Sequence, residues 1–431
     1  LISAASPPHA GEVMSYSGRV VFFCVGDGAK TIERFGANPW ELLSDRGSQE
    51  LMLALADGPR TLAELREIVT PEALERLDIL VRHGLVKQVG GAYVTSIPVI
   101  TDAKARRLRA LLRPLAAAVA GVVERRIREV ESAFLRTRLA ERFEWGDVAH
   151  ILVDALLLDL SMLSCVESLL TREGLFQGWS RWQRVIPFFG MEAGSHMANF
   201  GVNSWFIDGF GISVMHGSMI RRSGLPRLMN ALQEQGEVLL ELCMSGSIRE
   251  VPSRLVELGL VRASREGYEL AIPVLRSGDK VLVTEAVVAV AHEAAEKLVA
   301  QYGVIEDAFR SLGYAEWLEG VGDFVELAIH VVMALSIEEF VKRGALPGIP
   351  EEPPASWGVW LWEAPWTLDY RVVYRHIFGE IREIVERHGA CGRVEELISG
   401  AENLARKGEY GEALTMLKKA IDIYRTLPTG S

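Results

Sequence analysis

The sequence predicts a mainly α protein with small β hairpins, built as two tandem repeats that pair about an internal pseudo-twofold axis. Three observations predict it. The phrase Gly84-Leu85-Val86, Tyr93 and Ile97-Pro98-Val99 returns as Gly259-Leu260-Val261, Tyr268 and Ile272-Pro273-Val274 at one constant shift of 175 residues. Further along, Gly146-Asp147 answers to Gly322-Asp323, and Ala198–Trp205 answers to Ala355–Trp362 after a gap. Each copy of the phrase is then followed by a long stretch of helical periodicity, at about 102–140 and about 280–312. Internal repetition defines an architecture before any single residue does, and one chain would then do the work of a homodimer.

Taken in order, Val20 to Val25 is a short β-branched and aromatic run that reads as a strand. Apolar Leu42, Leu43, Leu51, Met52 and Leu55 give a helix over about 39–56. Thr61 caps a helix to Ile68, and Thr70-Pro71 caps and opens another that runs to His83, where Gly84 stops it. Leu85–Val89 and Ala92–Thr95 flank Gly90-Gly91 and form a hairpin with a two-residue glycine turn. The long helix that follows contains Pro114, which is expected to kink or break it. Helices at Asp147–Thr171 and Asp323–Arg343 follow, and each repeat closes with an aromatic segment. Only eighteen residues separate Leu242 from Leu260, against thirty from Leu55 to Leu85, so a helix of the second copy is missing or eroded.

Three helices and a hairpin in that order, carried by Gly58–Leu65, Pro71–Leu77, His83–Val86 and Gly91–Tyr93, resemble the winged helix-turn-helix module of regulators of the ArsR and MarR kind. The same residues are similar to the dimerisation domain of small-molecule O-methyltransferases. No glycine-rich phosphate loop or later acidic residue of a nucleotide fold follows, which disfavours the methyltransferase. At the other end, Gly408, Tyr410, Ala413 and Ala420 resemble one tetratricopeptide helical hairpin. A single repeat cannot bury its own face. The expected divisions are a disordered leader (1–17), strand and winged helix (18–100), a helical and aromatic segment (101–208), a degenerate second winged helix (209–275), its helical and aromatic segment (276–366) and C-terminal helices (367–427).

Composition narrows the function. Four cysteines, Cys24, Cys165, Cys243 and Cys391, share no short spacing, so neither a disulfide framework nor a cysteine metal site is indicated and a reducing cytoplasm fits. The apolar stretches Val148–Leu163 and Phe324–Ile337 are interrupted by His150, Asp154 and Asp159 or by Glu326 and His330, and are expected to be too short and too polar to span a bilayer. The net charge of −11 disfavours non-specific nucleic-acid binding. Residues 101–138, however, carry ten Arg and Lys against four acids, whereas 276–312 carry four against six.

The resemblance to winged-helix regulators implies duplex DNA as a partner, with Lys87 on the wing and Arg106, Arg109 and Arg113 on one helical stripe touching phosphate. Against it, the candidate recognition helix presents Glu72, Glu75 and Asp78. Tryptophans cluster at the ends of the two repeats. Trp179, Arg181, Trp182, His196, Asn199, Trp205, Trp357, Trp360 and Trp362 are the expected lining of a pocket for a small apolar or aromatic ligand, unless they fill the core. His292 and Glu293 lack the second histidine of a helical zinc motif, so no metal, cofactor or catalytic cluster is assigned. The expected function is a ligand-responsive transcriptional regulator rather than an enzyme. Its rival is a winged-helix protein without DNA binding that recognises a protein or peptide, with the C-terminal hairpin as a further protein or peptide site.

Overall fold

The computed structural model describes residues 19–25, 28–172, 187–220, 224–318, 321–363, 385, 392–407 and scattered positions between 412 and 423. These residues are mostly helical with small sheets. The first lobe follows the strand β1 (Val20–Cys24) with α1 (Gly28–Phe35), α2 (Pro39–Leu42), α3 (Arg46–Ala54), β2 (Arg60–Thr61), α4 (Leu62–Ile68), α5 (Pro71–Glu75) and α6 (Leu77–Arg82). The hairpin β3 (Val86–Val89) and β4 (Ala92–Thr95) and the short β5 (Val99–Ile100) complete it.

Local chemistry accounts for these boundaries. Thr61 and Glu64 form a reciprocal capping box at the start of α4. Thr70 accepts from Ala73 N, with Pro71 in the first turn of α5. The helix expected over 39–56 is two helices, because the Asp45 carboxylate accepts from Ser48 N at 2.9 Å and starts α3 afresh. The one expected over 71–83 is likewise divided at Arg76, whose N–H turns back to Ala73 O. Gly84, at φ +70°, lets Leu85 N reach Leu80 O and close the end of α6, and Gly90-Gly91 make the left-handed turn of the hairpin.

Next come α7 (Asp102–Leu135), α8 (Trp145–His150), a π helix (Ile151–Met162), α9 (Leu163–Arg172) and β6 (Phe188–Glu192). Thr101 caps α7, which runs unbroken through Pro114 for 34 residues. Its apolar side is buried against later helices, so packing along its whole length outweighs the hydrogen bond that proline cannot donate. The helical run Trp145–Leu170 corrects the bilayer expectation, being 26 residues long and apolar enough to cross a membrane by composition. The sequence reading ended the stretch at Leu163, but the helix continues through α9. In this structure 89% of its most apolar 18-residue stretch is buried inside the protein.

The second lobe contains β7 (Phe200–Ile207), β8 (Phe210–Gly217), α10 (Leu225–Glu234), α11 (Gly236–Ser245), α12 (Ser253–Glu257), the hairpin β9 (Val261–Ser264) and β10 (Gly267–Leu270), and β11 (Val274–Leu275). Between the Ile248–Tyr268 bridge and this hairpin only α12 is present, where the first lobe has three helices between β2 and its hairpin. Then follow α13 (Ser277–Val299), α14 (Tyr302–Ser311), α15 (Gly322–Arg343) and β12 (Val359–Glu363). The helix expected over 280–312 is interrupted at Ala300-Gln301.

Two sheets tie distant segments together. In the first, ordered β1-β6-β5, β6 pairs antiparallel with β1 and parallel with β5. In the second, ordered β11-β12-β8-β7, β12 pairs antiparallel with β8 and parallel with β11. Hydrogen bonds recur at one interval of 175 residues: Leu85 N to Leu80 O and Leu260 N to Leu255 O, Ser96 N to Leu85 O and Ala271 N to Leu260 O. The central core is the packing of α7 on α13 and α15, with Leu112, Val119 and Val123 against residues such as Val287, Ala291 and Val332. At about 1.5–3 kcal/mol for each fully buried Leu or Val side chain, this seam is the main source of stability. In the last described helix, α16 (Gly392–Arg406), Ala401 and Ala405 are buried with Ala413, Leu417 and Ala420; Gly408 and Tyr410 of the expected hairpin lie outside the described residues.

One cation locks the first lobe to this core. Lys104 Nζ donates to Ala56 O at 2.7 Å and lies 4.1 Å from the Tyr314 ring centroid and 5.1 Å from that of Trp317. Burial pushes its pKa down, with Asp57 opposing. Lys104→Met keeps the apolar stem but loses the charge-assisted bond and the cation–π contacts. It is expected to cost about 2 kcal/mol in urea unfolding; a loss under about 0.5 kcal/mol would show that the contacts are incidental.

Candidate functional site

The core between the π helix and α15 holds ionisable side chains that an apolar interior does not ordinarily tolerate. Glu144 and Asp147 cap α8 reciprocally and set the start of the helix that carries His150, Asp154 and Asp159. The twelve-residue π segment that follows is rare in length, and such widened turns favour functional positions. His150 Nδ1 lies 2.6 Å from Asp154 Oδ2, while its Nε2 donates to the Pro347 carbonyl at 2.9 Å. A carbonyl can only accept, so Nε2 carries a proton and a second proton is shared between Nδ1 and Oδ2. The two side chains are 4% and 0% exposed, and the Trp357 ring packs 5.2 Å from the imidazole, centroid to centroid. Burial acting alone would lower the pKa of the His150 imidazolium, but Asp154 outweighs it and holds the ring above its ordinary range. For Asp154, burial prevails and pushes the carboxyl up.

From the facing helix, His330 Nδ1 donates to the Glu326 carbonyl at 2.7 Å, and its Nε2 lies 3.6 Å from Asp159 Oδ1. Glu326 is fully buried. Each histidine therefore reaches across the chain: His150 to Pro347, His330 to Asp159. Sequence reading noted these five residues only as interruptions in apolar stretches. A signal that could find them is a sequence interval: the one linking Gly146-Asp147 to Gly322-Asp323 sets His150 and Asp154 against Glu326 and His330. An acid and a histidine four residues apart thus recur in swapped order.

Next to Asp154 is a small gap, with room for about one water molecule, lined by Asn199, Phe200, Gly217, Met219, Ile220, Ala334, Ile337 and Ile349. Asp154 Oδ1, fully buried, has no hydrogen-bond partner there. Of the expected pocket residues, Asn199 lines this void and Trp357 packs on His150. Trp360 is fully buried in the main core, Trp362 is 3% exposed with Nε1 donating to Ser213 Oγ at 2.7 Å, and Trp205 packs on the second lobe. His196 is exposed, and hydrogen bonds from its backbone and ring to Asp102 hold the Asp102 carboxyl well below its usual range, at a pKa of about 2. Trp179, Arg181 and Trp182 lie outside the described residues.

The expected phosphate stripe is engaged within the chain. Arg109 reaches both carboxylate oxygens of Glu338 at 2.9 Å, and Arg113 pairs with Glu338 and Glu339 at 3.2 and 3.3 Å. Arg106 pairs with Asp102, and Lys87 is half-buried on β3. Among the described residues no cluster of three or more His, Cys, Asp or Glu is arranged to hold a metal ion. Comparison of the chain with protein-family models, with curated proteins and with solved structures returns no match.

Proposed function

We propose that the chain is a tandem duplication of a winged helix followed by a helical layer, and that it acts as a binding protein for a protein or peptide partner rather than as a reader of duplex DNA. The common interval of 175 residues in the hydrogen bonds and the like strand order of the two sheets support the duplication. The observation that carries the functional reading is the pairing of Arg109 and Arg113 with Glu338 and Glu339. The basic excess of the first half is complemented by acids of the second, including Glu293 beside Arg125 and Arg126. Meanwhile the exposed face of α5 and α6 carries Glu72, Glu75 and Asp78, and Ile68 and Val89 on the same lobe are 53% and 51% exposed. A partner with basic and apolar side chains complements that face.

The regulator reading keeps one supporting observation: Arg82, Arg106 and Arg107 are exposed on the first lobe and the start of α7. A charge-swap cycle separates the two. Arg109→Glu and Glu338→Arg should each lose about 1–2 kcal/mol of stability, and the double variant should recover most of it. Titration of wild type with a generic duplex at low and moderate salt should give no salt-sensitive complex. Salt-dependent binding that weakens in Arg109→Glu and stays weak in the stability-restored double variant would instead establish the phosphate role.

A further inference from the structure

Among the described residues, the sheet β11-β12-β8-β7 ends in an open edge at β7, whose eight residues pair with β8 without a bulge. Two observations show which main-chain groups of β7 turn outward. Ile207 and Phe210 flank the turn Asp208-Gly209, at φ +42° and +81°, so they form the hydrogen-bonded pair that closes a two-residue hairpin. On the far side of β8, Met215 N donates to Gly358 O just before β12, which assigns the odd-numbered residues of β8 to β12 and the even-numbered ones to β7. Gly201, Asn203, Trp205 and Ile207 therefore bond to β8. Val202, Ser204 and Phe206 direct their N–H and C=O groups away from the sheet, where no described residue bonds them.

Native sheet edges are ordinarily blunted by charge, proline, a bulge or a covering group. The sheet of β1, β6 and β5 follows that rule. At its edge strand β1, Gln49 Oε1 accepts from Arg19 N and Val20 N at 2.6 and 3.3 Å, and Trp40 Nε1 donates to Phe22 O at 3.4 Å. On β7, Phe200–Ile207 contains no ionisable residue and no proline, and the Phe206 ring is 61% exposed.

We propose that β7 is the contact surface for a second copy of this chain, the two strands pairing antiparallel across a twofold axis at Ser204 so that two sheets become one. This register sets Phe206 of each protomer opposite Val202 of the other and forms about six main-chain hydrogen bonds. Any extended chain could meet the outward N–H and C=O groups; two features select a copy of β7. The twofold places an apolar neighbour beside each exposed Phe206 ring, and it does so for both protomers at once. Charge points the same way. A basic peptide, which a net charge of −11 attracts to the molecule as a whole, finds no carboxylate along β7, whereas a strand without ionisable groups sets no like charges against its own copy. A lone strand pair buries less than the roughly 800 Å² per partner of a standard interface, so the expected Kd is weak, on the order of 10 µM. The surface is separate from the acidic face of α5 and α6, and the inference is independent of the partner proposed there.

Sedimentation equilibrium of the full chain from about 1 to about 200 µM, with hydrogen exchange at the amides of Val202, Ser204 and Phe206, tests the pairing. The mean mass should rise from monomer toward dimer, and exchange at the three amides should slow in step, while that of Trp205, already bonded to β8, changes little. Ser204→Pro removes an outward N–H that β8 does not use, and Phe206→Lys sets a charge against the partner strand. Each should weaken self-association at least about tenfold. Phe206→Lys alters an exposed ring and carries the test if the proline disturbs β7 by circular dichroism. A wild type that stays monomeric throughout, or association unchanged in folded Phe206→Lys, would overturn the proposal. So would three amides as protected in the dilute monomer as in the concentrated sample, which would mean that another part of the same chain covers the edge. A monomer whose three amides slow only when a lysine-rich peptide is added would assign the edge to a foreign strand instead.

Discussion

His150→Leu is expected to destabilise the protein by about 3–5 kcal/mol, the cost of leaving one member of a buried pair without the other. The substitution removes the proton shared with Asp154 Oδ2 and the bond to the Pro347 carbonyl, and leaves a carboxyl that is 0% exposed to be neutralised by protonation or carried at high cost. The double variant His150→Leu/Asp154→Leu replaces the pair with apolar groups and should regain most of that loss, because desolvation of the pair had offset much of its attraction. Urea unfolding of wild type, the single variant and the double variant measures both. A single-variant loss under about 1 kcal/mol would show that the pair is not the buried unit described here.

The same pair makes stability depend on pH. His150 holds its proton more tightly in the folded protein than in the unfolded chain, so its contribution is complete below the ordinary imidazole pKa of about 6.5 and declines as pH rises through the higher folded value. The raised Asp154 carboxyl adds a decline of the same sign that begins above the ordinary carboxylate pKa of about 3.9, so the stability of wild type relative to the double variant should fall as pH rises from about 4 through the folded value of His150, while the double variant shows no such decline from this site. Protonation thus favours the contact that His150 makes with Pro347, 197 residues away.

Local signals made the first lobe legible. Thr61, Thr70 and Thr101 cap helices as their types and positions suggest, and Gly90-Gly91 turns the hairpin. The aromatic segments resisted reading because their pairing is tertiary. Phe188–Glu192 becomes a strand by lying between Val20–Cys24 and Val99–Ile100, and no local pattern names those partners. Charge was misleading for a related reason. Arg109 and Arg113 read as a phosphate-binding stripe until Glu338 and Glu339, more than 220 residues on, are placed against them. Polar interruptions in apolar runs marked the ends of candidate spans, yet Asp154, Asp159 and Glu326 sit inside the core, each beside a histidine. Periodicity separates buried from exposed faces but carries no information about a partner that makes burial of a charge tolerable.

Gly211→Ala tests whether Trp362 of β12 is fixed core or adjustable lining. Gly211 lies opposite Trp362 in the β8–β12 ladder, and a Cβ there would fall 2.4 Å from the ring atom Cε2 and 2.7 Å from Cζ2 and Nε1. The ring has little freedom to retreat: it is 3% exposed, Nε1 is bonded to Ser213 Oγ, and Phe206 packs edge-on with 5.3 Å between centroids. The alanine variant should lose about 2–3 kcal/mol through overpacking and a displaced indole hydrogen bond. Combining it with Trp362→Phe, which removes the atoms in conflict, should give a loss smaller than the sum of the two single losses by about 1 kcal/mol or more. An alanine variant within about 0.5 kcal/mol of wild type, with Trp362 fluorescence shifted toward that of a solvated indole, would mean that the ring swings aside and that this part of the aromatic cluster can open.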